Sequence, residues 1–347
     1  MSLEITLYPK SATKNKLVKL IKENEFEKTL HIVDTLNDEN HLHFMWFGTE
    51  NYESFSGVEV GIQKATEEEK IEYKCTDWIL HTRTQSGGSR IDKQKQNEII
   101  KKARKQFGGT FYNDWYGTNR YTILDDYDNL SAPERGLFLM YENLHDKLKR
   151  LRHCIESYEN PTTKNLQSMG NDSFAEYMRM HDPSIVLYNS LLPFSVSIIE
   201  YFFGETFEIM IKYDEKAQQI IEDENLKVPL KDVVSVKKGE LSIEAIVARD
   251  FTFQNLGHVN KAFKKYLTID ILKILSKRKK IGNRVFRMRE KLEEIISRRH
   301  LMIHHFSFDY TFTKEEFIQA LDVIEVCVRL VVQSIEKDRK WQIRRYE

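Results

Sequence analysis

The apolar residues of this chain change their spacing once, near residue 130, and that change limits what the chain can fold into. Before it they alternate over short stretches: Leu42, Phe44 and Trp46 with His43 and Met45, and Val58, Val60 and Ile62 with Gly57, Glu59 and Gly61. A period of two puts one set on one face of a pleated strand, so both stretches predict strands, and 77–82 predicts a third. Residues 15–25 and 91–106 read as helices, the second stopped by Phe107-Gly108-Gly109. After the change, Leu137, Met140, Leu144, Leu148, Leu151 and Ile155 recur every three or four residues, the spacing that buries one helix face. The expected fold class is an α+β N-terminal domain over 1–130 followed by an all-α helical bundle over 131–347. The acidic segment 124–136, with its Ser-Ala-Pro, marks the boundary.

Within the bundle, the apolar run 190–212 predicts a long helix with Pro193 in its first turn. Residues 213–250 are charged and loop-like, interrupted by Pro229 and Gly239, and helices resume at 260–277 and 285–304. A last helix starts at Thr313 with the Thr-x-x-Glu form of a capping box, and Phe317, Leu321, Ile324, Val328, Val331 and Ile335 give it one continuous stripe. Ser184 to Phe203 is the most apolar run. Asn189, Pro193 and Glu200 interrupt it, which favours a buried bundle helix over a membrane span.

The charges balance, 53 Lys and Arg against 53 Asp and Glu, which argues against a uniformly basic nucleic-acid coat and against a polyanionic tail. Cys75, Cys154 and Cys327 lie far apart, with no CxxC pair and no even-numbered disulfide framework. The first residues carry no apolar leader, so the expected compartment is the cytoplasm.

The balance is broken locally. From 271 to 300 there are eleven Lys or Arg against three Glu, a field that draws a polyanion. The end of this stretch holds Arg298, Arg299, His300, His304 and His305. An Arg and a His at such a spacing recur by chance in a chain this rich in both, so the context carries the weight. Cutting RNA without a metal needs a base for the 2′-hydroxyl proton, an acid for the leaving 5′-oxygen and a fixed positive charge beside the phosphate. An imidazole suits proton transfer near neutral pH, and a guanidinium grips two phosphate oxygens. His304 is the expected proton-transfer residue, Arg299 the phosphate clamp, and His300 or the His304 of a second copy shares the acid and base work. Arg298 and His305 share a helix face, and with the basic run Lys277, Arg278, Lys279 and Lys280 they are the expected RNA-binding residues. His300 and His304 also have the spacing of two metal ligands, but no third suggests itself, and neither a metal nor a cofactor is expected. Positions 299 and 304 are about 140° apart on an ideal helix, so they converge only if the helix ends or bends near His304.

Arg299-His300-Leu301-Met302-Ile303-His304 resembles the motif of the HEPN (higher eukaryotes and prokaryotes nucleotide-binding) superfamily: an arginine, a polar residue, three variable positions and a histidine. It also lies at the end of the penultimate predicted helix, where that family carries it, and the resemblance covers roughly 136–340. Asn is the usual residue after the arginine, where this chain has His300, and the charged stretch 213–250 is longer than a minimal domain needs. The resemblance implies a HEPN-like bundle that forms a homodimer with two motifs facing one cleft. It further implies a metal-independent endoribonuclease that cleaves RNA by transphosphorylation, in a bacterial toxin or phage-defence setting. The alternative it allows is a non-catalytic module for RNA or nucleotide binding and dimerisation.

The N-terminal half gathers Arg83, Arg90, Lys93, Lys95, Lys101, Lys102, Arg104 and Lys105 around Gly87-Gly88 and ahead of Tyr112, Trp115 and Tyr116. Basic residues beside aromatics suit a nucleic-acid or phosphate surface, and equally the aromatics suit a core. No GxGxxG or P-loop spacing is present. A sensed ligand or an antitoxin is the expected partner of this half.

Overall fold

The computed structural model describes residues 1–29, 40–124, 129–158, 173–224, 227–305 and 308–344. Residues 125–128 of the expected boundary segment, and Phe306 and Ser307, lie outside the described residues. The chain divides into two compact units, Met1–Arg135 and Gly136–Glu347. The expected class holds: an antiparallel α+β unit is followed by a helical one.

The first unit is a seven-stranded antiparallel sheet in the order β2-β3-β4-β5-β1-β6-β7. Its strands are β1 (Ser2–Tyr8), β2 (Glu27–Lys28), β3 (His41–Trp46), β4 (Val58–Lys64), β5 (Trp78–Gln85), β6 (Thr110–Asn113) and β7 (Gly117–Thr118). Ile5, Leu7, Phe44, Val58, Val60, Ile62, Leu80 and Phe111 turn one face of the sheet to α1 (Lys14–Glu23) and α3 (Arg90–Phe107). These meet Leu17, Ile21, Ile99, Ile100 and Phe107, all buried, to form the core of the unit. On the opposite face α2 (Glu67–Tyr73) packs by stacking Tyr73 on Tyr8, with ring centroids 3.8 Å apart. β1 is inserted between β5 and β6, in register with both. The sequence reading passes over it, although Leu3, Ile5 and Leu7 carry the same alternation as β4.

The second unit begins within α4 (Ala132–Ser157), which crosses the unit boundary. After α5 (Ser173–Met180) comes α6 (Pro183–Tyr213), whose start is fixed by Asp182 accepting from the Ser184 amide and by Pro183 in the first turn. Helix α6 therefore starts earlier than expected, and Pro193 sits in its interior rather than its first turn. Phe202, Phe203 and Phe207 are buried on α6. The Phe207 ring lies 5.6–5.8 Å from the rings of Phe251, Phe253, Phe263 and Tyr266, a cluster that ties α6 to the later helices.

The stretch 213–250 is not a loop. It forms α7 (Glu215–Asp223), α8 (Leu230–Lys237) and α9 (Ile243–Arg249). Asp214 and Ser242 cap α7 and α9 by accepting from the Ala217 and Ala245 amides. Such short, highly charged helices show too few apolar repeats to reveal their period. The expected helix over 260–277 is also broken, into α10 (Leu256–Leu267) and α11 (Ile271–Leu275), at Thr268 in the left-handed region. The basic run Lys277–Lys280 follows α11. It enters a two-stranded ribbon, β8 (Arg278–Ile281) paired with β9 (Arg284–Arg287), the departure from an all-α second unit among the described residues. Gly282-Asn283 closes it, with Gly282 at φ +56°, as a two-residue turn with glycine first requires. Helix α12 (Met288–His305) follows, then α13 (Lys314–Arg339), which has the expected Thr313/Glu316 capping box and the expected stripe, all buried.

Candidate functional site

Helix α12 carries the motif. Met288, Leu292 and Ile295 are its buried residues, and the next position on that inward stripe is Arg299. A guanidinium thus occupies a place that the helix period assigns to a core residue. It faces Glu200 of α6, with Arg299 Nη2 3.8 Å from Glu200 Oε1, and the two side chains are only 12% and 15% exposed. The pair is too long for a hydrogen bond, and Arg299 Nε and Glu200 Oε1 are both buried without a hydrogen-bond partner. Burial pushes the Glu200 carboxyl up, and Arg299 offsets part of that. The guanidinium is therefore held by charge rather than by a closed fork, and it keeps donors for another anion.

His300 and His304, one turn apart on the exposed side of α12, bring their rings to 4.2 Å between centroids. His305, also exposed, is the last residue of the helix. The helix ends at His305, one residue past His304, and positions 299 and 304 are both helical, about 140° apart around its axis. One side chain faces α6 and the other faces solvent. Among the described residues no three His, Cys, Asp or Glu side chains come together as metal ligands.

Arg298 has acidic and aromatic neighbours within its own chain. Its guanidinium lies over the Phe312 ring at 4.8 Å, 3.6 Å from Asp309 and 3.8 Å from Glu316. Asp309 is itself held by α6: Asn189 Nδ2 donates to the Asp309 carbonyl at 3.1 Å, and the Asp309 amide donates to Asn189 Oδ1 at 2.8 Å. Arg298 and Asn189 thus both hold Asp309. An open cavity of about 410 Å³ lies beside them, lined by Ser297, Arg298, Leu301 and Asp309. Lys277, Arg278, Lys279 and Lys280 are exposed at the other end of α12. His304 lies sixteen positions beyond Met288, so about 24 Å of helix separates the basic run from the histidines.

Sequence reading missed Glu200 and Asn189 as site residues. Their signal was present, since both are polar residues inside the most apolar stretch of the chain. Asn189 is buried and Glu200 nearly so, while Val186, Phe194 and Tyr201 of the same helix are exposed, as are Leu301 and Ile303 of α12. Helix α6 is long and apolar enough to cross a membrane by length and composition.

In the first unit, the basic residues gathered on α3 are largely used internally. Lys95 lies over Trp46, Lys101 over Tyr121 and Arg104 over Phe111, while Lys102 donates to Asn24. The loop Gly87-Gly88 does not cradle an anion at the start of α3. The fully buried Asp92 carboxylate sits there, accepting from Ser54 Oγ and from the Phe55, Ser56 and Ser89 amides at 2.6–3.1 Å. Tyr112 and Trp115 are exposed, with Trp115 Nε1 donating to the Ser2 carbonyl. On the open sheet face His81 Nδ1 pairs with Thr6 Oγ1 at 3.0 Å, Nε2 lies 3.5 Å from Glu4, and burial pushes the imidazole down. Compared with protein-family models, with curated proteins and with solved structures, the chain gives no match.

Proposed function

We propose that the helical unit is a metal-independent endoribonuclease that works as a homodimer in the cytoplasm, in a toxin or phage-defence role. The observation that carries this reading is the combination on α12 of a shielded guanidinium, Arg299, with an exposed two-imidazole ridge, His300 and His304. One chain keeps the two chemistries on different sides of the helix. Beside them, Leu301 is 53% exposed and, on α6, Phe194 is 63% exposed, apolar surface that a second copy would cover. In the dimer His304 of one copy takes the 2′-hydroxyl proton, the 2′-oxygen attacks phosphorus, and the 5′-oxygen leaves with a proton from His300 or the other copy's His304. The products are a 2′,3′-cyclic phosphate and a 5′-hydroxyl end. Arg299 stabilises the charge that grows on the phosphoryl oxygens.

Cleavage of single-stranded RNA in the presence of EDTA tests this. His304→Ala is expected to cut at least ~100-fold more slowly while still binding RNA. Equal rates for the two proteins would remove His304 from the reaction. RNA binding by a wild-type protein that does not cut would favour a non-catalytic binding and dimerisation module, a reading that the Arg299–Glu200 pairing also fits. The first unit is assigned the sensing or restraining role, with an antitoxin or small ligand as its partner.

A further inference from the structure

The β8–β9 hairpin holds Lys277, Arg278, Lys279, Lys280, Arg284 and Arg287, with no acidic residue between 277 and 287. Cations on the adjoining helix meet acids at once: Arg289 with Glu293 at 2.9 Å and Lys291 with Glu294 at 2.8 Å. On the hairpin only Arg287 does so, with Glu290 at 2.9 Å. Among the described residues Lys277, Arg278, Lys279, Lys280 and Arg284 have no ion-pair or hydrogen-bond partner for their side chains. The register adds to the repulsion, because Arg278 stands directly opposite Arg287. Like charges in that position weaken a ribbon, so fold stability does not account for them.

Strand alternation sorts the charges. Arg278, Lys280, Val285 and Arg287 share one face, and Lys279, Ile281, Arg284 and Phe286 the other. Ile281 and Phe286 are partly buried, whereas Val285 is 65% exposed among its cations. The exposed face has no aromatic side chain on which a base could stack, so it suits phosphates, whatever the sequence. The Met288 amide donates to the Lys277 carbonyl at 3.2 Å, fixing the ribbon to the start of α12. Along that helix His304 is about 24 Å away, the length of about seven stacked nucleotides at ~3.4 Å per phosphate.

We infer that the hairpin is a docking arm for the sugar-phosphate backbone of the same RNA that is cut, seated about seven nucleotides from the scissile bond and so setting a minimum substrate length. The inference rests on the ribonuclease reading and deepens it.

The test uses the full-length chain carrying His304→Ala, with labelled oligouridylates of about 4 and about 20 nucleotides, titrated between about 50 and 200 mM salt. Changing Lys277, Arg278, Lys279, Lys280 and Arg284 to Gln is expected to weaken binding of the longer strand at least ~10-fold and to lower its log–log salt slope by about two or more. Binding of the shorter strand is expected to stay the same. A control set that exchanges Lys for Arg and Arg for Lys keeps the charge and is expected to bind as the unaltered hairpin does. An unchanged slope for the longer strand overturns the inference, as does an equal loss on both lengths, which would place the charges at the scissile bond. Hairpin-dependent binding to phosphatidylserine vesicles with an unchanged RNA slope overturns it in favour of a lipid surface. Failure of the ribonuclease reading shows separately, as equal cleavage by proteins with and without His304.

Discussion

Glu208 lies on α6 one turn beyond Glu205, half-buried, with Glu205, Glu244 and Arg249 as the charges around it. Burial, then repulsion from Glu205 and Glu244, pushes its carboxyl up to about 7, and Arg249 offsets only part of this. The folded protein then holds this proton more tightly than the unfolded chain. Its contribution is most favourable below the ordinary carboxylate range and is lost as the pH rises from about 4.5 to about 7. Glu208→Gln is expected to stabilise the protein by about 1–2 kcal/mol at pH 8, after allowance for solvent screening, and to change it little at pH 4.5, measured by denaturant unfolding at both values. A second residue-scale expectation concerns Glu200. Its removal leaves Arg299 with no opposite charge in a nearly closed site, so Glu200→Ala is expected to cost about 1–3 kcal/mol. Glu200→Gln keeps the volume but removes the charge, so its cost should approach that of Glu200→Ala. A Glu200→Gln protein as stable as the wild type would mean that the carboxylate charge does not hold the guanidinium.

At the scale of elements, α6 organises the second unit. Its inward face carries the phenylalanine cluster, the Asn189 clamp on the chain after α12, and the Glu200 partner of Arg299. A loss of packing at Phe207 is therefore felt by several helices. Phe207→Ala is expected to destabilise by about 3–5 kcal/mol, read as a fall in the unfolding midpoint with an unchanged denaturant slope. A cost below about 1 kcal/mol would show that the neighbouring rings close over the gap. The hairpin is the opposite kind of element. None of residues 277–287 is buried, and of the hairpin's cations only Arg287 has an acidic partner among the described residues.

For the whole molecule the decisive question is whether two chains complete one site. Arg299 and His304 face different directions in one copy, so a shared cleft needs the arginine of one and the histidine of the other. Mixing Arg299→Ala protein with His304→Ala protein is then expected to restore up to about a quarter of the wild-type cleavage rate, through mixed dimers with one intact composite site. Phe194→Asp, on the exposed face of α6, should lower both dimer content and activity, with sedimentation velocity reporting the first. A fully active monomer would exclude the composite site.

How much of this was legible follows from the range of the signals. The change from period two to period 3.6 determined the two-part α+β and helical organisation, and the Thr313 capping box and its apolar stripe determined α13, because both depend only on neighbours within a few turns. The spacing of Met288, Leu292 and Ile295 extends to Arg299, but the sequence reading took Arg299 only as a phosphate clamp. Short charged helices at 215–249 and the ribbon at 278–287 escaped, the first for want of apolar repeats and the second because its four-residue strands are mostly cations without an apolar alternation, so that 285–287 was read into the following helix. Tertiary structure alone decided that Glu200 faces Arg299, that Asn189 holds Asp309 from 120 residues away, and that Lys95, Lys101 and Arg104 of α3 lie over aromatic rings. Periodicity tells which face of an element turns inward. What that face meets is set by packing between segments far apart in the chain, and no local spacing encodes it.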